Sequence, residues 1–205
     1  MRTRTTTTSG IFGGLLCTVF LCAPDALAAP RTHDGFYMEF APGLGYLSTS
    51  ASAAGTDVSF SGMTLPFAFL LGGSPFPGFV VGGEVLTDYE FSPKYKLNGQ
   101  EAATGISSQY LIGIGPFVDF YPNPAQGLHF QGMIGWGGLE TSFQGNVGGS
   151  DPTGLVVSLA GGYDFWVADE WSIGVMARFG YGALSLGDVG YKAIAPALLA
   201  TFTYH

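Results

Sequence analysis

The chain has 205 residues, of which 47% are apolar and only 11% are charged, whereas soluble domains carry about a quarter charged residues. This composition excludes a disordered chain, and the lack of repeated apolar runs of roughly 20 residues excludes a helical membrane protein. The formal net charge of −8 disfavours nucleic-acid binding, because phosphate is repelled by an acidic surface.

The first segment, residues 1–28, has the pattern of a secretory signal peptide. A positively charged start is followed by an apolar core of 12 residues at 11–22 and by an A-x-A cleavage site at 26–28. An uncleaved anchor and a lipoprotein signal at Cys22 are the alternatives. Cleavage would remove both cysteines, so the exported chain would have no disulfide and no cysteine ligand for zinc. Residues 29–34 would form a short N-terminal segment.

From residue 35 onward, bulky apolar residues alternate with small or polar ones, which is typical of strands with two different faces. The clearest case is 171–182, where odd-numbered positions are apolar and mostly bulky, and even-numbered positions other than Met176 are small, polar or charged. Strands of roughly 10 to 13 residues suit a tilted membrane strand, which needs about 9 to 11. The eight predicted strands are 35–47, 62–72, 79–91, 109–121, 128–138, 155–166, 171–182 and 193–204.

The connections between the predicted strands alternate in length. Three are short, at 73–78, 122–127 and 168–170, and four are longer or more polar, at about 48–61, 92–108, 139–154 and 183–192. Outer-membrane barrels have short periplasmic turns and longer outer loops. The sequence therefore predicts an all-β fold over 35–205, an eight-stranded antiparallel up-and-down transmembrane β-barrel.

The bulky face of each strand must point outward, because eight strands enclose a lumen just wide enough for side chains. An outward apolar surface on an exported barrel implies contact with lipid. Aromatic residues of this face cluster near both strand ends, as interfacial aromatics do. The predicted aromatic girdle consists of Phe36, Tyr46, Tyr89, Tyr110, Phe120, Trp136, Phe165, Trp171, Tyr181, Phe202 and Tyr204.

The inward face carries six acidic residues and one arginine. Buried charges are costly unless they are paired, so we expect Arg178 to lie in the lumen and to pair with a carboxylate. The predicted lumen polar cluster is Arg178, with Glu39, Glu84, Asp119 and Asp164 as its candidate partners; Asp88 and Glu90 share the inward face. We interpret this cluster as a polar plug, with a cation-selective path or a proton site as the alternative.

Four prolines fall within predicted strands, at Pro42, Pro66, Pro116 and Pro196. Proline removes a donor from the ladder, and a closed barrel has no edge strand on which to place it. We therefore expect bulges or local breaks of register at these positions.

The export signal, the eight alternating segments, the loop rhythm and the terminal strand resemble those of small eight-stranded outer-membrane barrels, the OmpA/OmpX/OmpW-like group. The resemblance covers about 35–205, although the aromatic that usually ends such chains is penultimate here, at Tyr204. It implies a bacterial outer-membrane location and a role in membrane integrity, adhesion or small-solute passage. We expect a monomer with a passive structural or surface-interaction role, contacting outer-membrane lipid, lipopolysaccharide and a loop-binding partner. Lys94 and Lys96 are candidate lipopolysaccharide contacts.

Other function classes are weighed against this interpretation. A small-solute channel of the OmpW type would need an open lumen, and a secreted soluble ligand-binding barrel would reverse the two faces. An enzyme is disfavoured, because there is no G-x-S-x-G motif, His33 and His205 lie near the ends, and His129 follows a short turn. We expect no catalytic residue, cofactor or metal site.

Overall fold

The computed structural model describes residues 31–53, 55–103, 105–143, 146–147 and 151–205; the predicted signal peptide lies outside them. No helix among the described residues is long and apolar enough to cross a membrane. The described strands are β1 (Gly35–Ala53), β2 (Thr56–Phe76), β3 (Phe79–Phe91), β4 (Lys94–Leu97), β5 (Gln100–Glu101), β6 (Ile106–Phe120), β7 (Leu128–Phe143), β8 (Asn146–Val147), β9 (Thr153–Trp166), β10 (Trp171–Leu186) and β11 (Val189–Tyr204).

Eight of these strands close into one antiparallel barrel in the order β1-β2-β3-β6-β7-β9-β10-β11, and β11 pairs back onto β1. This confirms the predicted all-β, eight-stranded antiparallel barrel. Closure gives every wall strand two neighbours, so the backbone groups can be satisfied within the sheet. β3 and β10 are four strands apart in this ring and therefore form opposite walls.

On the side of the short turns, which we call the turn side, the strand ends agree with the prediction to within one residue, except that β2 continues to Phe76, four residues beyond its predicted end. On the opposite side, the loop side, the strands continue further. β1 and β2 contain 19 and 21 residues, and only residues 54–55 separate them. β10 and β11 are likewise joined by residues 187–188 alone, with Gly187 at a φ of 58°. The prediction of long loops at 48–61 and 183–192 is therefore wrong. The alternation of bulky apolar side chains ends there, but the backbone pairing of the strands continues.

The predicted register breaks at the prolines are also wrong. Pro116 pairs with Gly83 of β3 in unbroken register, and the pairs with β7 merely skip two positions between Ile114 and Phe117 before resuming in the same register. The ladders beside Pro42, Pro66 and Pro196 show the same short gaps. A missing N–H affects only the one ladder to which it would donate, so the other ladder fixes the register. The recorded register shifts lie elsewhere, at Gly73/Phe76 and Ile106/Ser108.

The two faces of the barrel wall are as predicted. The outer face exposes a belt of bulky apolar residues, such as Leu44, Met63 and Leu198, each more than 60% exposed. On β1 the belt runs from Phe36 to Tyr46, about 33 Å along the strand at about 3.3 Å per residue, or about 25 Å along the normal of a tilted barrel. This height matches the hydrocarbon region that such barrels span.

Candidate functional site

The lumen holds the predicted polar cluster. Glu39, Glu84, Asp119, Asp164 and Arg178 all have side chains inside the barrel, each with at most 3% of the residue exposed. Asp88 and Glu90 are equally buried. Bulky apolar residues take the outward positions of each strand. The polar residues alternate with them along the strand and therefore point inward.

Arg178 forms its ion pair with Asp88, not with any of the four predicted partners. The Nη2 of Arg178 lies 2.5 Å from Oδ1 of Asp88, and both side chains are fully buried. Because β10 and β3 form opposite walls, this pair crosses the lumen. The prediction of the partner is therefore wrong. Height and direction in a closed barrel depend on how far each strand is staggered, which the alternation pattern leaves undetermined.

A hydrogen-bonded network fills the turn-side part of the lumen. The Tyr37 hydroxyl lies 2.7 Å from Oε2 of Glu39 and 3.1 Å from Oδ2 of Asp119. His129 is 3.0 Å from the same Asp119 oxygen through its Nδ1, and its Nδ1–H donates to that carboxylate. This network joins β1, β6 and β7 through side chains that have no contact with solvent.

Asp164 extends the network to the other half of the wall. Thr201 donates to its Oδ1 at 2.7 Å, and the Tyr121 hydroxyl lies 3.1 Å from its Oδ2. The Tyr121 ring stacks on His129, with the two centroids 5.0 Å apart. Both Asp164 oxygens therefore have donors, which offsets the cost of burying the group.

Both ends of the described chain close the turn-side mouth. His33 lies before β1 and stacks on Tyr121 with a centroid distance of 3.6 Å, while its Nδ1 lies 3.1 Å from Nδ1 of His205. His205 also lies 3.0 Å from the Ser172 hydroxyl and against the Trp166 ring. We call His33, Tyr121, Trp166, Ser172 and His205 the terminal plug.

Backbone hydrogen bonds hold the terminal plug to all three turns. The His33 amide donates to the Pro124 carbonyl at 2.8 Å, and the Gly78 amide donates to the His33 carbonyl at 2.7 Å. The His205 amide donates to the Glu170 carbonyl at 2.9 Å. Sequence reasoning missed this plug because His33 lies outside the alternating pattern. The signal that could have found it is the presence of a histidine beside each end of the barrel.

The imidazoles of the terminal plug are kept neutral by burial. Burial is the main reason that the pKa of His33 is lowered to about 3 and that of His205 to about 2, and the nearby His129 contributes to both shifts. Burial also raises the pKa of the Tyr121 hydroxyl well above its usual value. A neutral imidazole has one donor and one acceptor nitrogen, so the two rings can hydrogen-bond to each other.

Polar groups in the middle of the lumen and toward the loop side are less well satisfied. Neither carboxylate oxygen of Glu84 or Glu90 has a hydrogen-bond partner in the protein, and the same is true of Nε and Nη1 of Arg178. Further toward the loop side, a cavity of about 420 Å³ opens at the mouth of the barrel. Its lining is mostly apolar, with Val58, Phe60, Leu139, Leu186 and Val189 among the contributors.

The predicted girdle residues lie on the outer face near the two ends of the belt. Those at the turn side contact one another, since the Tyr204 ring lies 6.0 Å from Phe36 and 5.2 Å from Trp171. At the loop side, Tyr89 lies 6.3 Å from Tyr110. The others with outward positions are Tyr46, Phe120, Trp136, Phe165, Tyr181 and Phe202. This placement gives two aromatic levels at the borders of the apolar belt.

Two observations bear on metal binding and catalysis. Among the described residues, no group of three or more His, Cys, Asp or Glu side chains is arranged to hold a metal ion. Ser172 and His205 form a hydroxyl–imidazole pair, but both are buried inside the terminal plug, where a substrate has no access.

Comparison with known proteins identifies the fold. The chain is similar to Neisserial surface protein A, at 14% identity and a TM-score of 0.50, over 83% of this chain and 96% of that one. It is also similar to the outer membrane protein OprG from Pseudomonas aeruginosa, at 12% identity and a TM-score of 0.51, over 86% and 99% of the two chains. No family model and no curated protein matches the chain. The chain thus has the predicted fold, that of the small eight-stranded outer-membrane β-barrels.

Proposed function

We propose that the protein is an integral β-barrel of the bacterial outer membrane with a passive structural and surface-interaction role, acting as a monomer with a plugged lumen. The observation that carries the plug is the buried pair of Arg178 and Asp88, which joins opposite walls across the lumen. The terminal plug adds a second closure at the turn side. An eight-stranded barrel filled in this way leaves no continuous aqueous path.

The outer surface supports residence in a membrane. Large apolar side chains such as Ile114, Trp136 and Leu159 are each 62% exposed on the outer face. Soluble proteins rarely expose a contiguous apolar surface of this extent to water. A secreted soluble barrel would need these side chains inside. Their exposure on the outer face therefore disfavours that alternative.

Two measurements on the folded protein test this proposal. Mobility of the unboiled and boiled protein in a denaturing gel reports whether a detergent-resistant barrel is present in the outer-membrane fraction. Ion conductance across a planar bilayer then reports on the lumen. We expect a heat-dependent shift and no conductance steps. Protein in the soluble fraction with no shift would contradict membrane residence, and stable conductance steps from heat-modifiable protein would contradict the plug.

The cavity at the loop-side mouth favours a second candidate, uptake of a small apolar molecule from outside. Its volume of about 420 Å³ lies within the range of small-molecule sites, and Leu186, Val189 and Phe60 provide apolar contacts. We expect an apolar fluorescent probe, N-phenylnaphthylamine, to bind the detergent-folded protein. Filling the cavity with Ala51→Trp should abolish this binding, whereas Ala200→Trp on the outer face should leave it unchanged. Equal binding by both variants would contradict the candidate.

A further inference from the structure

All three lysines of the chain lie on one patch of the outer surface. Lys192 of β11 pairs with Ser50 of β1, Ser50 pairs with Ser59 of β2, and Ser59 pairs with Lys96 of β4. Directly opposed residues of an antiparallel sheet project to the same face. Lys94 follows two positions along β4, opposite Ser61. We call Lys94, Lys96 and Lys192 the lysine row.

The packing of β4 fixes the direction in which its lysines point. Tyr95 lies between Lys94 and Lys96, and its ring stacks on Phe60 with a centroid distance of 5.1 Å. Phe60 lines the cavity at the loop-side mouth. Because successive side chains of a strand project to opposite faces, Lys94 and Lys96 project away from that cavity, to the outside.

The lysine row stands immediately above the apolar belt. Ser48 of β1 is opposite Ser61, which is opposite Lys94, and these form the first polar level. Two positions closer to the turn side, the next outward residues are Tyr46 and Met63, which are opposite each other and exposed. The surface therefore changes from ammonium and hydroxyl groups to apolar side chains within one step along the strands.

The lysines are not matched by acidic partners. Within the described part of the chain, none of the three forms an ion pair; Glu101 is the cross-strand neighbour of Lys96 but makes no such contact. The two arginines of the described residues lie elsewhere: Arg178 is buried in the lumen, and Arg31 is beside Asp169 at the turn side. Within this described part of an acidic chain, the lysines without an ion pair are therefore gathered at one place on the surface.

We infer that the lysine row binds the phosphorylated headgroup of an outer-leaflet lipid. The three ammonium groups and the neighbouring serine hydroxyls would donate to phosphate oxygens, and the acyl chains would lie against Tyr46 and Met63. Basic residues beside a membrane each strengthen binding of an anionic headgroup about fivefold. This inference rests on the proposed residence in the outer membrane.

The test is a titration of the full detergent-folded chain with bisphosphorylated lipid A, followed by native mass spectrometry at fixed salt. We expect Lys192→Gln to weaken binding about fivefold and the triple variant Lys94→Gln/Lys96→Gln/Lys192→Gln to weaken it on the order of 100-fold. Arg31→Gln removes the same charge at the turn side and should leave the affinity unchanged. Gel mobility of every variant, unboiled and boiled, reports that the barrel is intact.

Three results would overturn the inference. Equal affinity of the heat-modifiable triple variant and the wild type would show that the lysines are not used. Equal binding of dephosphorylated lipid A would assign the contact to the apolar belt alone, and full competition by equimolar inorganic phosphate would assign the site to a free anion. Each of these leaves membrane residence intact, whereas a chain without a heat-dependent shift would contradict the proposed function itself.

Discussion

Buried carboxylates differ in their hydrogen bonding between two regions of the lumen. On the turn side, both oxygens of Asp119 and of Asp164 have donors, from His129, Tyr37, Thr201 and Tyr121. From the middle of the lumen toward the loop side, neither oxygen of Glu84 or of Glu90 has a partner in the protein. A buried carboxylate with donors stabilises the structure it joins, whereas one without donors keeps its full desolvation cost.

From this difference we expect the turn side of the barrel to be rigid and the loop side to be adaptable. The turn-side half links the walls through continuous side-chain contacts and through the terminal plug. The loop-side half ends in an open cavity. Asp88, the partner of Arg178, lies between Glu84 and Glu90 along β3. Among the described residues, this is the one ion pair of a lysine or arginine with a carboxylate inside the lumen. Replacing residues on either side of it tests this division.

The largest effect is expected at the ion pair itself. Arg178→Met leaves Asp88 buried and unpaired, so we expect the free energy of unfolding to fall by about 3–5 kcal/mol. The midpoint of denaturant unfolding in detergent measures this. The double variant Arg178→Met/Asp88→Leu removes both charges and should regain most of the loss. An unchanged midpoint in the single variant would contradict the proposal that this pair pins the two walls of the barrel together.

The pH dependence of stability probes the terminal plug. Burial lowers the pKa of His33 to about 3 and that of His205 to about 2, from 6.5 in the unfolded chain. The folded state therefore binds fewer protons, so its stability is complete above pH 6.5 and declines as the pH falls toward 3. The slope is up to about 1.4 kcal/mol per pH unit for each histidine.

The matched variants for this pH prediction are His33→Phe and Leu198→Phe. His33→Phe removes one titrating ring but keeps an aromatic against Tyr121, so its unfolding midpoint should vary less between pH 7 and pH 4 than that of the wild type. Leu198→Phe lies on the outer belt and should show the wild-type dependence. The same slope in His33→Phe would assign the pH effect to other groups.

The two halves can be compared directly with one type of substitution. Asp119→Asn replaces the acceptor of His129 and should lower the free energy of unfolding by about 2 kcal/mol, since hydrogen bonds to charged groups contribute about 1.5–3 kcal/mol. Glu90→Gln removes a buried charge without donors and should leave stability unchanged or raise it. Denaturant midpoints of both variants decide the matter. A larger loss for Glu90→Gln would break the distinction between the halves.

The smallest effect is expected beyond the membrane, in the extended hairpin of β1 and β2. Asp57 accepts a hydrogen bond from the Ser52 hydroxyl at 2.5 Å, and its amide donates to Asn98 at 2.9 Å, all in exposed positions. Because solvent replaces an exposed hydrogen bond, Asp57→Ala should cost less than about 1 kcal/mol. Thermal unfolding compared with Ser50→Ala measures this. A loss as large as that of Asp119→Asn would place essential structure outside the lumen.

The fold could be predicted from the sequence because the two-residue alternation of apolar and polar side chains indicates strands with one outer and one inner face. The strand 171–182 alternates except at Met176 and Ala177, and the structure forms β10 over Trp171–Leu186. The direction of the faces followed from volume, since the bulky side chains of all eight strands together would overfill the lumen. The hairpin extensions were missed because the outward positions beyond the apolar belt, such as Ser48, Ser50 and Ser52, are polar and carry no bulky apolar period.

The sequence by itself determined the number of strands, their inward and outward residues, and the burial of Arg178 and the acidic side chains. Only the tertiary structure decided which of these groups meet. Arg178 reaches Asp88 because closure places β10 opposite β3, and the lysine row forms because β4 folds back onto β2. Alternation is a local property of one strand. Partners across a barrel depend on closure, stagger and the path of the loops, which no single segment encodes.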